Sequence, residues 1–234
     1  MPPSQHGRLL LACAWCGPLF ALLFAIGFFP LAGFIPPPHA DDTAAQIAAM
    51  YRDHRDAIRI GTVVMTLATL FIAPWGVAMA SQTRKTETGF PVLTIIQLIC
   101  TGIVVFTIVL FVLIWAVASF RAGEIPVETT RALNDVAFFL LLFDWPPFCL
   151  WVLSFAVAIF LDRTEHPVFP RWAAYLNVWI VLLSLPGCLI VFFKTGPFAF
   201  HGFVAFYFPV VVFFIWLVAM TYLTMVAIKR EGAV

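Results

Sequence analysis

Six long apolar runs, separated by short polar segments, organise the chain: Leu9–Phe34, Ile58–Ala80, Val92–Phe120, Leu133–Leu161, Trp172–Phe193 and Phe198–Ile228. Each supplies the roughly 20 residues that a helix needs to cross the hydrocarbon of a bilayer. The pattern predicts an all-α polytopic transmembrane helix bundle, a single domain of about six spans over residues 1–234. Spans three, four and six are longer than the minimum, which predicts tilt or extension beyond the bilayer.

The first loop departs from this rule. Pro36-Pro37-Pro38 cannot continue a helix. Beyond it, Ile47, Met50, Tyr51 and Ile58 recur at helical spacing, with Arg52, Asp53, Arg55 and Asp56 on other faces. An amphipathic helix is expected here, on the membrane surface or over the mouth of the bundle, with Asp41 and Asp42 as N-cap candidates.

Composition supports a lipid environment. Of the 234 residues 63% are hydrophobic and only 11% charged, too few to cover a water-soluble surface of this size. The net charge of +1 provides no field for nucleic acid. The expected partner is the lipid bilayer, with a homo-oligomer or larger complex also compatible. Met1 to Arg8 holds one arginine and the following apolar run outlasts an ordinary h-region, so the N-terminus does not read as a cleaved signal peptide. Cys13-Ala-Trp-Cys16 matches C-x-x-C but lies inside an apolar run, as do Cys100, Cys149 and Cys188; small buried side chains are expected of all five.

Seven of the basic residues fall on the side of the termini and six on the other, which sets both termini inside by a narrow margin. Trp172, Tyr175, Tyr222 and Trp115 lie near span ends, where interfacial anchors are expected.

Candidate chemistry sits where polarity interrupts a span. Asp144 falls close to the middle of span four, in Leu140-Leu-Leu-Phe-Asp144-Trp145-Pro146-Pro147. A charged aspartate at that depth costs at least about 2.5 to 3.5 kcal/mol, so it must be protonated, paired or facing a cavity. The two prolines lack N–H donors and free carbonyls about one turn upstream, which neighbouring helices or water must satisfy. A carboxyl, free carbonyls and Trp145 at one depth make a candidate ligand site, with Trp75, Asn177 and Trp151 as further lining. The alternative is a protonated Asp144 bonded to a carbonyl or hydroxyl in a merely kinked helix. Pro74-Trp75-Gly76, Pro186-Gly187 and Pro209 interrupt other spans, and kinked helices either enclose a cavity or pack as a bent solid bundle.

Asn177 and Gln97 are expected to bond between helices, and Asn134 with Asp135 to cap span four. Lys194, His201 and Asp135 share one side of the membrane with the first loop and could form a polar mouth. No histidine lies deep in a span, and no pair has haem or metal-ligand spacing, so no metal or cofactor is expected. The chain contains no phosphate-binding G-x-x-x-x-G-K-[ST], no H-E-x-x-H, no paired aspartate-rich motif, no arginine-rich span and no lysine deep in the last span.

Three stretches carry a resemblance: Gly33-Phe-Ile-Pro-Pro-Pro38, Phe169-Pro-Arg-Trp172 with Tyr175-Leu-Asn177, and Pro186-Gly187 through Phe192-Phe-Lys-Thr-Gly-Pro197. Together they resemble a group of small six-span bacterial inner-membrane proteins with no assigned activity. The resemblance implies six spans and a bacterial inner membrane, and transfers no site residue.

The expected function is binding or transport of a small lipophilic molecule in an intramembrane pocket near Asp144, with proton coupling as a variant. Two alternatives stay open: a membrane-embedded isomerase or cyclase with Asp144 as general acid, and an accessory subunit of a larger membrane complex.

Overall fold

Proline positions decide where the apolar helices stay regular and where they loosen. The computed structural model describes residues 5–231, and among these no strand occurs. The first span, α1 (Gln5–Leu31), stays α-helical through Pro18 and widens into a π turn at Gly27–Leu31, around Pro30. A short helix, α2 (Ala44–Asp53), follows in the first loop. In α3 (Arg55–Thr86), a 3-10 turn at Thr69–Phe71 precedes Pro74. The next span, α4 (Val92–Phe120), has no proline and is the most regular. Span four, Val127–Leu161, consists of two helices, α5 (Val127–Phe143) and α6 (Trp145–Leu161). Span five, α7 (Arg171–Val191), tightens to a 3-10 helix from Leu185, next to Pro186. The last, α8 (Phe203–Glu231), opens with a π turn ahead of Pro209.

Six of these segments are long and apolar enough to cross a membrane, and the chain is a multi-pass membrane protein. The spans form a ring in chain order. Helix α1 packs on α3, α3 on α4, and α4 on both halves of span four. Helix α6 then packs on α7 and α7 on α8, and α8 closes back on α1. Leu22, Ile60, Leu70, Phe106, Trp179 and Val218 are exposed on the outside of the ring, where a soluble protein would carry charge. Trp172, Tyr175 and Tyr222 are also exposed, in positions suited to anchors, whereas Trp115 is completely buried. Trp115 packs on Phe34 at 4.6 Å and Phe138 at 5.1 Å, so it is a core residue rather than the expected anchor.

The first loop folds back over one end of the ring. Thr43, not Asp41 or Asp42, caps α2: its side chain accepts from the Gln46 N–H while Gln46 accepts from the Thr43 N–H. Asp42 accepts instead from the His39 N–H, closing a tight turn ahead of the cap. Ile47 and Tyr51 turn inward, and the Tyr51 hydroxyl donates to Asn134 Oδ1 at 3.1 Å. Burial pushes the Tyr51 phenol well above its ordinary value, and the charge of Asp135 pushes it the same way. Helix α2 therefore covers the mouth of the bundle and is tied to it.

That bond also corrects the reading of Asn134 and Asp135 as a helix cap. Both lie inside α5, which begins at Val127 after Pro126. The polar turn Val127–Arg131 is helical although hydropathy excludes it from the span, because the apolar window marks the bilayer and not the start of the helix. On the opposite face of the membrane, Glu87 receives the Leu93 and Thr94 N–H groups and the Thr94 hydroxyl, capping α4.

Candidate functional site

Asp144 is the central residue of the 35-residue segment Val127–Leu161, and the helix is broken there. Its backbone, at φ −76° and ψ 25°, ends α5 and begins α6, and its side chain makes no capping hydrogen bond. Pro146 and Pro147 fall in the first turn of α6, where a missing N–H deprives the helix of nothing. The expected kinked but continuous span is thus two helices meeting at an acid.

The break has an unequal supply of hydrogen-bonding groups. The last carbonyls of α5 have no partners within their own helix. At the start of α6, two of the first four residues are prolines and donate nothing. Pro146 deprives the Leu142 carbonyl of its helical donor, and α7 packs closely on it: a Cβ on Gly187 would lie 2.8 Å from the Leu142 carbonyl oxygen. Only a glycine lets α7 approach this carbonyl so closely.

Two hollows meet at Asp144. One is an aromatic cavity of about 140 Å³ near the axis of the ring. Its walls come from Phe24 and Phe28 of α1, Phe111 of α4, Leu141 of α5, Trp145 and Phe148 of α6, Ser184 of α7 and Phe213 of α8. The other is a cleft of about 610 Å³, bounded by Thr107, Asp135, Phe139, Ile190, Lys194, Phe200 and Ala40. Leu140 and Asp144 line both. The cleft thus runs from the covered mouth to the middle of span four, and the aromatic cavity lies beyond. The Thr107 hydroxyl, which donates to the Ile103 carbonyl at 3.1 Å, lies beside the Asp144 carboxyl.

Of the residues expected to line one pocket, Asp144 and Trp145 are on the cavity wall. The Trp145 indole N–H is buried without a partner among the described residues. Trp75, Trp151 and Asn177 lie elsewhere, in solid packing. The Trp75, Trp151 and Trp216 rings meet edge-on at 5.2 to 5.7 Å. Trp75 Nε1 donates to the Thr221 hydroxyl at 2.9 Å, and Trp216 Nε1 donates to Asn177 Oδ1 at 2.8 Å. The Asn177 amide N–H in turn donates to the Ala173 carbonyl. Asn177 thereby joins α7 to α8, as an interhelical bond should, but it faces no cavity. The two polar atoms of the Gln97 amide, expected to do the same, are buried without a partner among the described residues.

The polar mouth divides similarly. Asp135 and Lys194 line the cleft. His201 sits at its edge and clasps the first loop: its Nδ1 accepts from the Ala40 N–H at 2.9 Å. The His201 ring stacks on His39 at 4.3 Å, nearly parallel. Burial holds His201 below its ordinary range and His39 adds to that, while Asp41 and Asp42 oppose it. Potential ligand atoms of His39, Asp41 and His201 all lie within 4.8 Å of one another. A neutral ring that accepts at Nδ1 carries its proton on Nε2, so His201 is committed to the clasp rather than to a metal.

Sequence reasoning missed Thr107, Ser184 and the particular phenylalanines of the cavity. A threonine in an apolar span bonds its own helix by default, and one phenylalanine among 26 carries no signal of its own.

Comparison with known proteins adds no precedent: no protein-family model, no curated protein and no solved structure matches this chain. The geometry is therefore the whole basis for function. It offers a carboxyl at mid-membrane, an acceptor-rich helix break, an apolar chamber on one side and a polar-mouthed passage on the other.

Proposed function

We propose that this protein binds, and passes between its cleft and its core, a small lipophilic molecule held in the intramembrane cavity at Asp144. The observation that carries this reading is that Asp144 lines both hollows at the break of span four. Discontinuous helices with polar groups in the break are a recurrent way of building a midplane site, and ligand pockets are mostly apolar with a few placed polar groups. An acid–base enzyme is less well supported. The aromatic cavity offers no second titratable side chain beside Asp144, and the Ser184 hydroxyl is engaged with the Ile180 carbonyl. The resemblance of the proline-rich stretches supports a bacterial inner membrane, and the narrow excess of basic residues on the side of the termini supports their cytoplasmic placement.

The test is occupancy by an apolar probe with a heavy atom. An apolar chamber of this size accepts a benzene-sized guest. Crystals grown with bromobenzene should show bromine density among Phe24, Phe111 and Phe213. Density confined to the outer, lipid-facing surface, with none in the chamber, would contradict the proposal.

A further inference from the structure

The chemistry of the break also points to the kind of molecule, on the premise that the cavity binds one. Hydrogen-bond acceptors outnumber donors at this point of the membrane. The acceptors are the two carboxyl oxygens of Asp144 and the terminal carbonyls of α5. The donors that would ordinarily answer them are reduced by Pro146 and Pro147. The side-chain donors nearby are the Thr107 hydroxyl beside Asp144, the Ser184 hydroxyl, which donates to the Ile180 carbonyl, and the Trp145 indole N–H, which has no partner among the described residues.

Charge tells the same story. No ion pair forms between Asp144 and a basic side chain among the described residues, and the wall of the aromatic cavity contains no Lys, Arg or His. Lys194 lies in the adjoining cleft, where its charge acts on Asp135. The carboxyl lies between the negative end of α5 and the positive end of α6, and the first turn of α6 lacks the N–H groups of Pro146 and Pro147, so no basic side chain and few amide donors balance it. An anionic ligand would find no cationic side chain there.

Phe24, Phe28, Phe111, Phe148 and Phe213 surround the chamber. Aromatic faces attract cations, more strongly where water is excluded. An acid flanked by free carbonyls and faced by aromatic rings matches one ligand class. We propose that the ligand is a lipophilic organic ammonium ion. Its N–H groups are received by Asp144 and the last carbonyls of α5, and its apolar body lies among the phenylalanines. It enters through the cleft between Asp135 and Lys194.

Two probes of nearly equal shape test this: 2-phenylethylammonium and propylbenzene, which differ in having a terminal ammonium or a terminal methyl. The full chain, purified in nanodiscs at fixed salt, is titrated with each, with tryptophan fluorescence and competition against radiolabelled 2-phenylethylammonium as readouts. The ammonium should bind about tenfold or more tightly than propylbenzene. Asp144→Asn should abolish that preference and Asp144→Glu should retain it, each variant being checked for an unchanged gel-filtration profile. The comparison in the wild-type chain decides the matter even where a variant fails to fold. Equal or tighter binding of propylbenzene would overturn the ammonium inference and leave the lipophilic cavity standing. Binding of neither probe would remove both. Displacement of the ammonium by sodium but not by N-methylglucamine would assign the break to an inorganic cation and overturn the inference.

Discussion

At the scale of single residues, polarity in an apolar environment must be answered, and the structure shows two kinds of answer. Trp75, Trp216 and Asn177 meet partners in a packed core, each bond contributing on average about 0.6 kcal/mol in a membrane setting. Asp144 instead faces open volume. The sequence made Asp144 and Trp145 visible because an acid in a long apolar run stands out against its neighbours. It could not sort Trp75 and Trp151 from the lining of the cavity. In a helix that is apolar all round, no amphipathic stripe shows which face turns inward. The His201 clasp was equally hidden, since its partner Ala40 is 161 positions away. That clasp depends on pH. The folded chain keeps His201 neutral, because protonation of Nδ1 would remove the acceptor for the Ala40 N–H. Its value is depressed on folding, so its stabilising contribution is present above about 6.5 and is lost as pH falls below. His39, Asp41 and Asp42 are the groups that face it. In detergent, the melting temperature of wild type should drop between pH 7 and 5 by more than that of His201→Gln, whose amide oxygen accepts at any pH. Parallel pH profiles for the two would show that the clasp does not titrate.

At the scale of elements, hydropathy located all six spans, and α4 matches its predicted limits at both ends. The errors lie at polar ends, as in α5, where helix extends beyond the bilayer window. The larger surprise is the form of span four. Two adjacent prolines read as a kink, yet they occupy the first turn of a new helix, because that is where their missing N–H groups are harmless. Helix α7 packs against the break from the side. A Cβ at Gly187 would press on the Leu142 carbonyl, a backbone atom with little room to yield. Gly187→Ala should therefore destabilise the protein by about 1 to 3 kcal/mol, in the range of overpacking. Gly102→Ala is the control, since its Cβ would meet nothing within 4 Å. Chemical unfolding of both variants in the same detergent checks this, and an equal response of the two would show that α7 does not constrain the break.

At the scale of the whole molecule, a ring of six spans in chain order leaves its axis to be filled by side chains. Around Trp75, Trp151 and Trp216 the fill is solid aromatic packing, and beside Asp144 it is incomplete. Whether kinked helices enclose a cavity or pack solidly was undecidable from sequence, because closure depends on how five spans meet around one point. The polar first loop, with α2 bonded to Asn134 and clasped by His201, covers the end where the cleft begins. The central claim is that Asp144, in the middle of the membrane segment, is reached by way of this cleft. Thiol accessibility tests it most directly. With the five native cysteines replaced, Asp144→Cys is treated in sealed vesicles with a membrane-impermeant quaternary-ammonium methanethiosulfonate. Ala158→Cys, fully inside the packing, serves as the control. The thiol at 144 should be modified from the side of the first loop, while the thiol at 158 stays unmodified. A thiol at 144 as inert as that at 158, from either side of the membrane, would contradict it.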